Sequence, residues 1–212
     1  MPLLTIERDD ENDRPRRKRP VELRLDGRAW LRVDPEELAA LGLTGDVEID
    51  GARTAAAEQE LARMRARLFV VRSLAARPQS VAELERKLAA RGIPDEVARE
   101  AIDAAIGYRY LDDAELARQL ARGLRSRRYG RRRAEQALRA RGIPREEADA
   151  ALQEAYGEED EVALARAAIA RRTITDDEPG KRKAVAFLAR RGFSTAAAWQ
   201  AVKEELAGRR PG

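Results

Sequence analysis

The chain has 212 residues, of which 38% are charged and 4% aromatic, and it carries a net charge of +4. It contains neither cysteine nor histidine, which excludes disulfides and thiolate chemistry and removes the commonest metal ligand and general base. No stretch of 18 apolar residues and no signal-peptide core occurs, so we expect a cytoplasmic protein with no membrane partner.

Residues 1–20 are polar and charged, and the run from Arg14 to Pro20 is basic and bracketed by prolines. Because this segment shows no hydrophobic periodicity, we predict a disordered basic arm over residues 1–20. Two interpretations of the arm stand side by side, a contact to nucleic acid and a solvated tail.

Residues 21–53 have the pattern of a small β module. Apolar residues alternate with polar ones on both sides of Asp26-Gly27, which predicts a β-hairpin with a type I′ turn. Asp34 followed by Pro35 predicts the start of a short helix that ends near Gly42. Val47–Ile49 could add a third strand. We therefore predict a β-hairpin plus a short helix in residues 21–53.

From Thr54 onward the pattern is helical, and it repeats every 50 residues. The heptapeptide Leu88–Pro94 returns as Leu138–Pro144 and, more weakly, as Leu188–Ser194. Such a period is typical of helical repeat proteins. We predict a mainly α fold, an elongated helical array of three tandem three-helix repeats, over residues 54–110, 111–157 and 158–208.

Local signals mark the ends of these helices. Gly92, Gly142 and Gly192 follow helices at the position where a left-handed residue is favoured, and Ser80 with Glu83 forms a capping box. Three groups of acidic residues could bind a cation but suit helix starts better. They are Asp112-Asp113, Glu158-Glu159-Asp160 and Asp176-Asp177-Glu178. We therefore expect no metal and no cofactor.

A basic segment is the candidate binding site. Of the 42 basic residues 37 are arginine, and eight of these lie between Leu116 and Ala134 without any acid. Arginine forks match phosphate, and a tyrosine beside them could stack on a base. The alternatives are a solvated face, arginines paired with acids of another repeat, or contact with an acidic protein surface. The candidate residues are Arg118, Arg122, Arg125, Arg127, Arg128, Tyr129, Arg131, Arg132 and Arg133.

Catalysis finds little support in the sequence. It has no Gly-rich phosphate loop and no nucleophile elbow, in addition to lacking His and Cys. We therefore predict a binding protein and not an enzyme.

Three stretches of the helical part form a recognisable set. They are Arg-x-x-Ser-x-x-Glu-Leu-x-x-Lys-Leu at residues 77–88, Tyr-Leu-Asp-Asp at residues 110–113 and the spacing from Gly130 through Leu138 to Gly142-Ile143. In these stretches the chain resembles the RecX family of recombinase regulators. The chain departs from the family pattern at four positions, with Arg109 in place of Gly, Leu116 in place of Phe, Arg131 in place of Pro, and Arg133 or Ala134 in place of Ile.

The resemblance implies a non-enzymatic modulator of RecA that binds the RecA filament on single-stranded DNA. Such a regulator lies in the filament groove and suppresses ATP hydrolysis, strand exchange and the recombination and SOS activities that depend on them. Double-stranded DNA is a further candidate ligand, and we expect a monomer. Two alternatives remain, a general nucleic-acid-binding protein built from helix-turn-helix-like repeats and a structural helical-repeat adaptor.

Overall fold

The computed structural model describes residues 1–8, 20–44, 47–157 and 160–208. The elements formed by these residues are β1 (Leu3–Arg8), β2 (Val21–Leu25), β3 (Arg28–Val33), α1 (Pro35–Leu41), β4 (Val47–Glu48), α2 (Gly51–Ala76), α3 (Val81–Ala89), α4 (Asp95–Gly107), α5 (Asp113–Ser126), α6 (Arg131–Ala140), α7 (Arg145–Tyr156), α8 (Glu161–Ile169), α9 (Glu178–Arg190) and α10 (Thr195–Ala207). The prediction of a mainly α fold with a small N-terminal β module is confirmed.

The chain divides into two compact units. One comprises Met1–Arg72 with Lys87–Ala104, and the other comprises Ser73–Arg86 with Ala105–Gly212. The three helices of the predicted first repeat contribute residues to both units. The predicted domain boundaries stay predictions. Among the described residues, none of the helices combines the length and apolar character that crossing a membrane requires.

The strands form an antiparallel sheet in the order β3-β2-β1-β4. Asp26 and Gly27 both have positive φ, 47° and 75°, as the type I′ turn of the predicted hairpin requires. The core of this module consists of apolar side chains from the strands, from α2 and from the segments on either side of β4, namely Leu4, Val21, Leu23, Val33, Leu43, Ile49, Ala57 and Leu61.

The prediction of a disordered arm over residues 1–20 is wrong for its first part. Leu3–Arg8 forms β1, which pairs with β2 on one side and β4 on the other. Leu4 is fully buried, and this burial stabilises a segment whose charged continuation suggested disorder. The basic run Arg14–Arg19 lies outside the described residues.

The helix ends follow the predicted signals closely. Asp34 caps α1 together with Glu37, and Gly42 ends that helix with φ 61°. Helix α9 begins at Glu178, so Pro179 lies within its first turn. A proline is accepted there since the first amides of a helix have no intrahelical acceptor.

The second and third predicted repeats each form a three-helix bundle around a small, alanine-rich core. Alanine lets helices approach closely, so few aromatic residues are needed. The core of α5–α7 is built from Leu116, Ala117, Ala121, Ala134, Leu138, Ile143, Ala148, Ala151, Leu152, Ala155 and Tyr156. The core of α8–α10 is built from Ala165, Ile169, Ala184, Leu188, Phe193, Ala198, Ala201, Val202 and Leu206.

Candidate nucleic-acid interface

Within the second compact unit, the end of α6 packs against the start of α3. The Ser80 hydroxyl donates to the Arg141 carbonyl over 2.5 Å. The Arg141 guanidinium donates in return to the Pro78 carbonyl (2.7 Å) and to a Glu83 carboxylate oxygen (2.8 Å). We call this contact the first junction. It joins the middle helices of two successive repeats.

Gly142 makes this close approach feasible. Its φ of 73° lies in the left-handed region, as predicted for the residue that ends the helix. A Cβ at this position would lie 2.6 Å from the Ala82 Cβ, well inside contact distance. A glycine is therefore required here both by the backbone conformation and by the neighbouring helix.

Glu83 is the charged centre of the first junction, with only 12% of its side chain exposed. Burial raises the pKa of its carboxyl group, but the Ser80 amide, Arg77 and Arg141 together outweigh burial and hold the pKa below its ordinary value. The carboxylate also accepts the Ser80 amide (3.1 Å) while the Ser80 hydroxyl accepts the Glu83 amide (3.1 Å), so the predicted capping box is present.

Replacing Glu83 by glutamine should lower the free energy of unfolding at pH 7 by about 1–3 kcal/mol, because Arg141 loses its buried partner. A carboxyl whose pKa is lower in the folded state stabilises the fold above its unfolded pKa of about 4.3. That stability is lost as the pH falls through the folded pKa, so the difference between the variant and the wild type should shrink between pH 7 and pH 3.

Urea unfolding at pH 7 and pH 3 measures this difference. Glu135→Gln is the matched control, since Glu135 pairs with Arg139 on an exposed helix face (2.7 Å) and such pairs contribute little. A constant difference between Glu83→Gln and wild type across this pH range would contradict the assignment.

The same contact recurs 50 residues later, and we call it the second junction. The Gly130 amide donates to the Arg191 carbonyl (2.9 Å). The Arg191 guanidinium donates to the carbonyls of Arg127 (2.8 Å) and Arg128 (3.2 Å) and lies 4.3 Å from the Tyr129 ring centroid. Arg191 thus takes the role of Arg141, and Arg127 and Arg128 stand at the positions of Arg77 and Pro78.

The main chains approach still more closely at the second junction. A Cβ on Gly130 would overlap the carbonyl of Gly192, and a Cβ on Gly192, whose φ is 88°, would overlap the backbone nitrogen of Arg133. The two glycines therefore allow the start of α6 and the end of α9 to contact each other directly. This places the predicted arginine segment at the junction between the second and third repeats.

Two of the predicted site residues are paired with acids of their own bundle. Arg118 contacts Glu115 over 3.0 Å, and Arg122 contacts Glu115 (3.4 Å) and Glu154 (3.1 Å). Glu115 lies just before the acid-free segment, and Glu154 comes from α7. These two arginines therefore pair with acids of their own repeat, whereas the alternative stated above placed such acids in another repeat.

Tyr129 is half-buried. One face of its ring is covered by the Arg191 guanidinium, and its carbonyl accepts the hydroxyl of Tyr156 over 3.1 Å. Through these two contacts Tyr129 stabilises the second junction. Stacking of Tyr129 on a base stays a prediction.

The remaining arginines lie at the end of α5 and in the first turn of α6, and all are exposed. Arg125 sits in the last turn of α5. Among the described residues, the other five make no ion pair with an acid. We call these five the arginine cluster; they are Arg127, Arg128, Arg131, Arg132 and Arg133.

The arginine cluster has the chemistry of an anion site. Guanidinium groups donate in a planar fork that fits a phosphate, and the first-turn amides of α6 add the positive end of the helix dipole. The predicted acidic groups act differently: Asp112, Asp160 and Asp177 each accept a first-turn amide of the following helix. No set of side chains in the described ranges is arranged to hold a metal ion.

Sequence analysis missed two features of the second compact unit. Arg191 could have been identified, because it stands 50 residues after Arg141 in the repeated segment. The second feature is an exposed aromatic pair: Tyr108 and Tyr110 are 74% and 71% exposed, with ring centroids 6.2 Å apart. They flank Arg109, whose φ of 58° is left-handed.

Comparisons with known proteins agree with this architecture. Residues 66–103 match the family model of the first three-helix domain of RecX, and residues 112–152 match that of the second. A crystal structure of regulatory protein RecX superposes with a TM-score of 0.61 at 20% identity, covering 96% of this chain and 100% of the other. RecX from Lactobacillus salivarius superposes with a TM-score of 0.58 at 20% identity, covering 69% and 97%. No curated protein sequence matches the chain.

Proposed function

The chain belongs to the RecX family, and from that premise we propose that it regulates the RecA recombinase by binding the RecA filament on single-stranded DNA. In this proposal it lowers the ATPase activity of RecA, strand exchange and the dependent recombination and SOS activities, and it acts in the cytoplasm as a monomer. The observation that carries the proposal is the succession of two RecX three-helix domains in one chain.

The arginine cluster supports the DNA part of this proposal. Five exposed guanidinium groups with no acidic partner among the described residues would repel one another, and a polyanion relieves that repulsion. The cluster lies on a junction between two bundles and not on a flexible tail, so the backbone positions from which its side chains extend are fixed relative to one another. Fixed donors lose less entropy on binding than mobile ones.

We also propose that the protein is not an enzyme. The sequence offers no histidine or cysteine, and the acids of the described helix starts that could hold a cation serve as caps instead. Regulation would then come from occupying the filament through several weak contacts, whose effects combine when one chain carries them all.

A direct test measures phosphate release by RecA on single-stranded DNA while the purified protein is added. We expect a dose-dependent decrease in RecA ATPase activity and no ATP hydrolysis by the protein alone. Unchanged RecA activity at protein concentrations that saturate the filament would refute the regulatory function. ATP hydrolysis that co-purifies with the chain and disappears on a point substitution would refute the non-enzymatic part.

The arginine cluster also favours a second candidate, a general nucleic-acid-binding protein. The cluster begins the middle helix of a three-helix unit, and helix-turn-helix proteins bring such helices to DNA. Binding to DNA without any interaction with RecA, measured by pull-down with and without single-stranded DNA, would favour this candidate over the RecA regulator.

A further inference from the structure

The two junctions differ at one charged position. Glu83 at the first junction and Arg133 at the second are 50 residues apart and occupy the same place in the repeat. The Glu83 carboxylate forms an ion pair with the Arg141 guanidinium over 2.8 Å. At the second junction the position that corresponds to Glu83 carries another arginine, Arg133.

The backbone places Arg133 beside the end of α9. A Cβ on Gly192 would lie 2.6 Å from the Cβ of Arg133, so the Arg133 side chain departs next to Arg191. Arg191 uses two carbonyls and aromatic rings in place of a carboxylate. Within the described residues neither arginine has an acidic partner. The second junction therefore lacks the negative group that completes the first.

We propose that a backbone phosphate of single-stranded DNA occupies, at the second junction, the position that the Glu83 carboxylate holds at the first. The phosphate bridges Arg133 and Arg191 and so fastens the third repeat to the second. This inference rests on the proposed function, in which the chain binds single-stranded DNA, and it adds the site and its structural consequence.

The surroundings favour a phosphodiester over a carboxylate side chain. A phosphate has two non-bridging oxygens, enough for one guanidinium from each bundle, and the neighbouring phosphates of the same strand come within reach of Arg127 and Arg132. A ligand held by both bundles stabilises their junction, so DNA binding and junction stability are thermodynamically coupled.

The substitution Arg133→Glu tests this, because it supplies in the chain the negative charge assigned to the phosphate. Without DNA, the variant should melt about 2–4 °C above wild type as the introduced carboxylate pairs with Arg191. Inorganic phosphate, compared with chloride at equal ionic strength, should raise the melting temperature of wild type but not that of the variant. Affinity for a labelled oligothymidylate should fall.

Arg132→Glu is the matched control. It makes the same charge change in the same turn of α6, so it gains the same helix-dipole effect, but position 132 does not correspond to Glu83, and the residue that adjoins Gly192 is Arg133. It should keep the response to phosphate and show the smaller rise in melting temperature. The double variant Arg133→Glu with Arg191→Gln should lose the extra rise, which isolates the coupling of the two positions.

The outcomes separate this inference from the proposed function. Equal melting temperatures and equal phosphate responses for Arg133→Glu and Arg132→Glu would overturn the phosphate site, as would a wild type that does not respond to phosphate. A larger stabilisation by polyglutamate than by oligothymidylate would overturn it in favour of an acidic protein partner. Wild type that responds to phosphate but leaves RecA unaffected would refute the proposed regulation alone.

Discussion

Replacing Arg127, Arg131 and Arg132 together by glutamate is expected to weaken binding of single-stranded DNA roughly 100- to 1,000-fold, since each lost charged contact is worth roughly 1–1.5 kcal/mol. The logarithmic dependence of affinity on salt should flatten by about two units, at about 0.7 for each phosphate released. Fluorescence anisotropy over a salt series measures both quantities. The fold should persist, because acids are favourable in the first turn of α6.

The matched control changes three exposed arginines of the same unit, Arg139, Arg145 and Arg182, to glutamate. These side chains pair with nearby acids on their own helices, and the control alters the net charge by the same amount. It should keep most of the affinity and the salt slope. If both triple variants lose affinity to the same extent, the attraction comes from net charge and the arginine cluster is not the binding site. If neither loses affinity, the cluster is a solvated face.

Gly192→Val is expected to cause a large loss of stability. The φ of 88° is costly for a β-branched residue, and the added Cβ would overlap the backbone nitrogen of Arg133, which no side-chain rotation can relieve. We expect a loss of about 3–5 kcal/mol, which combines the backbone strain with overpacking. Urea unfolding followed by circular dichroism measures it.

Gly92→Val separates the two causes. Gly92 has the same place in the repeat and a φ of 70°, but a Cβ there meets nothing within 4 Å. This variant should lose only the conformational part, about 1–2 kcal/mol. Equal losses for Gly92→Val and Gly192→Val would mean that the contact with α6 contributes nothing to stability.

The helical part of the fold was predictable because its signals are local and repeated. Gly92, Gly142 and Gly192 have φ of 70°, 73° and 88°, as their position after a helix predicts. Strand β1 was not predictable in the same way. Its six residues precede a charged segment, and what stabilises them is pairing with β2, whose residues lie about 20 positions further along.

The sequence predicted where the arginine segment lies, but it did not predict which of its arginines pair with acids and which do not. Arg122 meets Glu154 only because α5 packs against α7, and the two residues are 32 positions apart. Arg191 contacts the carbonyls of Arg127 and Arg128 across more than 60 positions. Sequence spacing identifies which side chains share a helix face, whereas partners from other helices depend on packing.

The choice of acceptors at the junctions affects how such a protein can evolve. Arg141 and Arg191 donate to main-chain carbonyls at residues 78, 127 and 128, and every amino acid supplies a carbonyl. Substitutions at those three positions can therefore change the surface charge without removing the hydrogen bonds that join the bundles. Ligand preference and cohesion of the repeats are encoded by different atoms of the same residues, so natural selection can change one while the other is retained.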